Sequence, residues 1–303
     1  MLKVTLAGAL AASMLLAVAA QAAPAKPVDK YATNNGVKIH YVVEGKGPLV
    51  VMIHGFPDYW ATWKPLMATL SAAGYRTAAL DTRGYNLSDK PQGVAAYAMP
   101  NLIGDVAAVI AAEGEKNAVV VGHDWGAAIA WQTVLNRPDL VNKLVIMAVP
   151  HPAGMARELA TNKDQQANSQ YARNFQKEGS EKNLTAEGLA GWVRDPKEKP
   201  GYVEAFKRSD FAAMMNYYRA NYPRITADSP PPAAQAFAKI KVPVLVIHGM
   251  KDTALNAQGH AGTWNQVDAD STIVMIPTAG HFVQHDAEAL VDRTIKDWLD
   301  ARR

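Results

Sequence analysis

Ala118-Val119-Val120-Val121-Gly122-His123-Asp124-Trp125-Gly126-Ala127-Ala128-Ile129-Ala130-Trp131 decides the fold. Val119 to Val121 is a short β-branched run of the kind that forms a buried strand in a parallel sheet. From about Gly126 onward the residues are small and helix-compatible. Between strand and helix stands Gly122-His123-Asp124-Trp125-Gly126, a turn with glycine at both ends. That spacing is the one a nucleophile elbow requires, with the middle side chain raised on a tight strand-to-helix turn. Glycine is needed at its ends because the two backbones approach too closely for a Cβ. The middle residue is Asp124, placed at the start of a helix whose dipole and free N–H groups favour an ionised carboxylate. It can attack without a base to deprotonate it. Attack on a carbonyl would give an anhydride, so the carboxylate suits displacement at an sp³ carbon, leaving an alkyl ester on the protein. An aspartate before a helix can also be a simple N-cap; flanking glycines and partners elsewhere in the chain favour the chemical role.

Outward from this stretch, strands and helices alternate. Tyr31 to Thr33 and Val37 to Glu44 are expected to form a hairpin turned by Asn34-Asn35-Gly36. Buried strands are expected at Leu49–Ile53, Arg76–Leu80, Leu144–Val149, Val242–His248 and Thr272–Ile276. Helices are expected at Trp60–Ala73, at Asn101–Glu113 and at Ala287–Leu299, the last with Leu290, Val291, Ile295 and Trp298 on its apolar side. The pattern implies an α/β fold, a mostly parallel, doubly wound sheet covered on both faces. Between Val149 and Val242 the chain is helical, polar and aromatic, with Ser229-Pro230-Pro231-Pro232 near its end. It is too long for a sheet connection and predicts an inserted helical cap over residues 151–238, flanked by core segments 23–150 and 239–303.

Residues 1–22 are expected to be a signal peptide: Lys3, an apolar stretch from Val4 to Ala20, and Ala20-Gln21-Ala22 before the cut. The competing reading is a membrane anchor. Cleavage predicts an exported protein, periplasmic or secreted, with no membrane attachment afterwards. The chain has 31 basic and 28 acidic side chains, well mixed, so nothing marks it as a nucleic-acid binder. It has no cysteine, which excludes disulfides, thiol nucleophiles and zinc–thiolate sites.

Two partners for Asp124 lie at the ends of later strands, where an open α/β sheet places functional groups. His281, in Ala279-Gly280-His281-Phe282, follows the last strand, and Asp252, in His248-Gly249-Met250-Lys251-Asp252, follows the one before. The order nucleophile, acid, histidine is that of a hydrolase triad. His54-Gly55-Phe56-Pro57 follows an early strand and supplies an oxyanion-hole donor, the N–H of Phe56, to accompany that of Trp125.

These motifs, with Asp81-Thr82-Arg83-Gly84-Tyr85, Ser88-Asp89-Lys90-Pro91 and Val149-Pro150-His151-Pro152, closely resemble the epoxide hydrolases of the α/β-hydrolase superfamily over essentially the whole mature chain. The resemblance implies two cap tyrosines that donate to the ring oxygen. Asn216-Tyr217-Tyr218-Arg219 matches one family segment and assigns Tyr218, with Tyr217 as the neighbour that could face the pocket instead. Tyr171, four residues before Phe175-Gln176, matches the other. The implied reaction converts an apolar epoxide and water to a vicinal diol, with no metal or organic cofactor. Phe56, Trp125, Met214, Met215 and Tyr217 are expected to line an apolar pocket. Two rivals remain. A haloalkane or haloacetate dehalogenase would use the same nucleophile. Against it, Phe56 stands where a halide donor is often Asn, and Trp125 and Ala128 stand where haloacetate enzymes carry arginine. A non-catalytic small-molecule binder would usually have lost a triad member, and none is missing.

Overall fold

The computed structural model describes residues 26–224 and 236–303. The expected signal peptide, residues 1–22, and Ser229 to Pro232 lie outside the described residues.

Strand β1 (Val28–Asn34) and strand β2 (Val37–Gly45) pair antiparallel, from Val28↔Val43 to Asn34↔Val37. Asn35 and Gly36 between them have φ of 47° and 82°. Two successive left-handed residues match the twist of the flanking strands, which is why Asn-Gly closes this hairpin. The remaining strands are β3 (Leu49–Ile53), β4 (Arg76–Leu80), β5 (Ala118–His123), β6 (Val141–Met147), β7 (Val244–Gly249) and β8 (Ser271–Ile276). The sheet order is β1-β2-β4-β3-β5-β6-β7-β8, parallel from β4 onward.

Alternate side chains of each strand serve different layers. Val51, Ile53, Val120 and Ile146 join one core with Val106 and Val109 of α2 (Met99–Ala112) and Ile129 of α3 (Trp125–Asn136). Val50, Met52, Val121 and Met147 join a second core with Leu66 and Leu70 of α1 (Lys64–Ala72). Each fully buried aliphatic side chain contributes about 1.5–3 kcal/mol of transfer free energy, so a strand buried on both faces is continuously apolar.

Strands β6 and β7 pair directly at Leu144↔Val244, so the chain between them leaves the sheet and returns. Its regular elements, among the described residues, are helical: α4 (Pro152–Thr161), α5 (Lys163–Asn168), α6 (Gln170–Phe175), α7 (Ala186–Leu189), α8 (Lys199–Lys207) and α9 (Phe211–Asn221). After β8 come α10 (Val283–Asp286) and α11 (Glu288–Asp300). Val291, Ile295, Trp298 and Leu299 of α11 are buried in the second core, whereas Leu290 is exposed. The expectation for Leu290 is therefore corrected: it sits about 100° around the helix from Val291, off the buried stripe.

Candidate active site

The register Ile53↔Gly122 sets the end of β3 beside the end of β5. The turn at β5 is as tight as its glycines imply. A Cβ on Gly122 would overlap the Gly126 carbonyl, and one on Gly126 would overlap the Ile53 carbonyl. Asp124 itself has φ 50° and ψ −123°, a conformation that costs a non-glycine residue about 1–3 kcal/mol and survives only where surrounding structure imposes it. The Phe56 N–H donates to Asp124 Oδ1 at 2.7 Å. Trp125 opens α3, so its N–H has no acceptor within the helix. Of the two expected oxyanion donors, the Phe56 N–H contacts the carboxylate, and the Trp125 N–H follows Asp124 directly in the chain at the start of α3.

His281 and Asp252 meet Asp124 in space. The Nδ1 of His281 lies 2.8 Å from Asp252 Oδ2 and its Nε2 lies 3.4 Å from Asp124 Oδ2. Asp252 is fixed in turn, its Oδ1 accepting the backbone N–H of Ala254 at 2.7 Å and of Leu255 at 3.0 Å. Burial disfavours the imidazolium, but the carboxylates of Asp124 and Asp252 outweigh it and lift the His281 pKa to about 10. Burial likewise works against both carboxylates, yet the His281 bond keeps Asp124 and Asp252 below their ordinary range. At neutral pH the resting site is a carboxylate–imidazolium–carboxylate array.

Tyr171 and Tyr218 line a cavity of about 390 Å³ together with Asp124 and Trp125. Their rings stand 6.1 Å apart at 82°. Burial raises both phenol pKa values well above the ordinary 10, and the Asp124 charge adds to this, so both hydroxyls keep their protons and can donate. The Trp125 ring packs edge-on against the Tyr218 ring, with centroids 5.1 Å apart. Gln176 holds α9 in place by donating to the carbonyls of Tyr218 and Tyr222 at 3.1 and 2.8 Å.

Part of the expected pocket is corrected. Met214 and Met215 are fully buried in the first core and border no part of the cavity. Tyr217 turns the other way from Tyr218, its hydroxyl donating to the Arg83 carbonyl at 2.8 Å. The Phe56 ring packs on the rings of Phe175 and Tyr218 rather than facing the cavity. The lining comes instead from α3 and from segments far apart in sequence, including Met155, Leu159, Phe237 and Leu255.

The sequence reading also missed His123. Burial lowers its pKa to about 3, so it is neutral, and its Nε2–H donates to the His281 carbonyl at 2.8 Å. It pins the loop that carries the base. Its position beside Asp124 was the only available signal. The Asp81 to Tyr85 motif is structural: Arg83 grips Asp105 through Nε and Nη2 at 2.7 and 2.6 Å, both residues buried. His54 accepts the Thr82 N–H at Nε2, 3.0 Å, and donates from Nδ1 to the Gly55 carbonyl, 2.8 Å, fixing the loop before Phe56.

Residues 48–288 match the family model described as the alpha/beta hydrolase fold. The AB hydrolase superfamily protein YfhM of Bacillus subtilis is 32% identical over 89% of this chain and 97% of its own length. Epoxide hydrolase 1 of Caenorhabditis elegans is 30% identical over 89% of this chain and 70% of its own. Among solved structures, a mutant of an epoxide hydrolase from Bacillus megaterium superposes with a TM-score of 0.82, at 29% identity, covering 89% of this chain and all of that one.

Proposed function

The chain belongs to the α/β-hydrolase fold family, and from that membership and its site we propose that it is an epoxide hydrolase working through an alkyl-enzyme ester on Asp124. The observation that carries the reading is the cavity on which one ionised carboxylate faces two protonated tyrosines, Tyr171 and Tyr218. A carboxylate can alkylate itself on many carbon electrophiles. A pair of phenol donors is useful where the leaving atom is an oxygen that stays attached and must be protonated. The Caenorhabditis elegans relative and the Bacillus megaterium structure both bear the name epoxide hydrolase.

In the first half-reaction a carboxylate oxygen of Asp124 attacks the less hindered ring carbon. Oδ1 is already held by the Phe56 N–H, which leaves Oδ2 to form the new bond. The C–O bond of the ring breaks toward oxygen, which takes its proton from the tyrosine side. Asp124 loses its charge on alkylation, so one of the two carboxylates that hold the His281 proton is gone. His281 then releases that proton, which balances the one gained by the ring oxygen, and becomes a base. In the second half it takes a proton from water, which attacks the ester carbonyl carbon while Oδ1 collects charge between the Phe56 and Trp125 N–H groups. The bond from Cγ to the substrate oxygen breaks, and that oxygen takes the proton left on the hydroxyl that water added to Cγ, which returns Asp124 to its carboxylate. The diol leaves with an oxygen from Asp124, and Asp124 keeps one from water.

Incubation of the purified protein with a styrene-oxide-type epoxide and, separately, with haloalkanes and haloacetates tests this directly. Diol without halide is the expected result; halide release alone would make the enzyme a dehalogenase, and neither product would leave a binder. Export is proposed on residues 1–22 alone. N-terminal sequencing of protein from cell fractions should find a start at Ala23 outside the cytoplasm, and a cytoplasmic protein that keeps Met1 would overturn it.

A further inference from the structure

The cavity follows one face of α3. Asp124 and Trp125 stand at its inner end, Ala128 one turn on, and Trp131 with Gln132 a turn beyond. With a rise of 1.5 Å per residue, the eight steps from Asp124 to Gln132 span about 12 Å. Met155 and Leu159 of α4 and, from beyond the cap helices, Phe237 complete this part of the lining.

 

Every described side chain along this channel is neutral except Asp124 itself; among the described residues, no lysine, arginine or histidine borders it. The aromatic group packed round the Asp124–His281 pair behaves differently. Phe56 packs on Phe175 with ring centroids 5.2 Å apart, and Trp192 stacks on Phe282 at 3.7 Å and 3°. The Trp192 indole also donates to the Pro57 carbonyl at 3.0 Å, which ties this group to the oxyanion loop. None of these four rings borders the cavity. On the side of these four rings, therefore, packed aromatics close off the nucleophile, and the lining along α3 runs away from it.

From this shape, and resting on the epoxide-hydrolase reading, we infer that the substrate is a terminal, monosubstituted epoxide with a single long, neutral, apolar arm lying along α3. A second substituent on the far ring carbon would have to displace close-packed aromatic rings. A carboxylate on the arm would lose its hydration in a channel that offers no cation, and it would face the charge on Asp124. An arm of aryl-ether or medium alkyl size fills the length; a bare three-carbon epoxide leaves most of it empty.

The native protein tests this with a matched panel: a terminal aryl glycidyl ether, its trans-internal analogue with a substituent on both ring carbons, and a terminal epoxide whose arm ends in a carboxylate. The terminal ether should exceed each of the other two by at least 100-fold in kcat/KM. An internal or carboxylate-bearing epoxide turned over within tenfold of the ether would overturn the assignment while leaving epoxide hydrolysis intact. Turnover of no epoxide in the panel would overturn the hydrolase reading, and this assignment with it. Ala128→Phe places a ring across the channel floor, and the ratio of kcat/KM for the aryl ether to that for propylene oxide should fall at least tenfold. An unchanged ratio in the folded variant would refute the path along α3.

Discussion

Replacing Asp124 by Asn should release the proton that His281 holds. The substitution keeps the shape of the side chain and removes one of the two charges against the imidazolium. At 3.4 Å and an effective dielectric of about 20, that charge contributes about 5 kcal/mol, equivalent to roughly 3.5 pH units. His281 keeps a side-chain exposure of 17%, and water screening trims the expected drop to roughly 2–3 units. Asp252 remains at 2.8 Å, so the group stays a bonded histidine and does not become a free one. The His281 pKa should fall from about 10 to between about 7 and 8 in Asp124→Asn. Titration of the imidazole nitrogens by NMR in both proteins measures it. A value in the variant within half a unit of the native one would refute the electrostatic coupling on which the two-stage role of His281 depends. Alkylation neutralises Asp124 in the same way, which carries the argument into kinetics. Hydrolysis of the ester needs a neutral base, so kcat should fall as pH drops below this lowered value.

The resting array also links stability to pH. The His281 pKa is raised from 6.5 to about 10 in the folded protein, so its contribution is complete below pH 6.5 and is lost progressively as pH rises toward 10; urea midpoints measured across that window should decline. Tyr218→Phe and Tyr171→Phe should each lower kcat/KM by about 100-fold, the lower end of the usual range for a positioned proton donor. Tyr217→Phe loses only the bond to the Arg83 carbonyl, so steady-state kinetics should stay near native while urea denaturation shows a loss of about 1 kcal/mol. Arg83→Leu strands the buried Asp105 carboxylate and should cost about 3–5 kcal/mol in the same denaturation assay.

The sheet was legible because parallel strands buried on both faces are written as β-branched runs, and because the glycine frame of Gly122 and Gly126 admits few other readings. The ends of the strands were less so: β6 begins at Val141 rather than Leu144, and Val149 lies beyond it. Pairing partners decide those limits, and Ala118↔Val141 is invisible in either strand alone. The Asp124, Asp252 and His281 group could be read from chain order and strand ends. The pocket could not, and α9 shows why. Its Met214, Met215, Tyr217 and Tyr218 are all buried, so no polar face reveals which side looks toward the nucleophile. The choice is made by distant groups: the Arg83 carbonyl captures the Tyr217 hydroxyl, and Gln176 holds the backbone at Tyr218. Along α3 a signal did exist. Ala128 and Trp131 follow Asp124 at four and seven residues, the spacing of one helix face, and that spacing extends the elbow into the cavity floor.

The central claim is that a covalent ester forms on Asp124 and that His281 is needed to remove it. Mixing His281→Gln with a terminal aryl epoxide and recording peptide masses after digestion tests both parts at once. The peptide that carries Asp124 should gain the mass of one substrate molecule, with diol formation nearly abolished. Diol released at the native rate with no modified peptide, or an adduct on a different residue, would contradict the account.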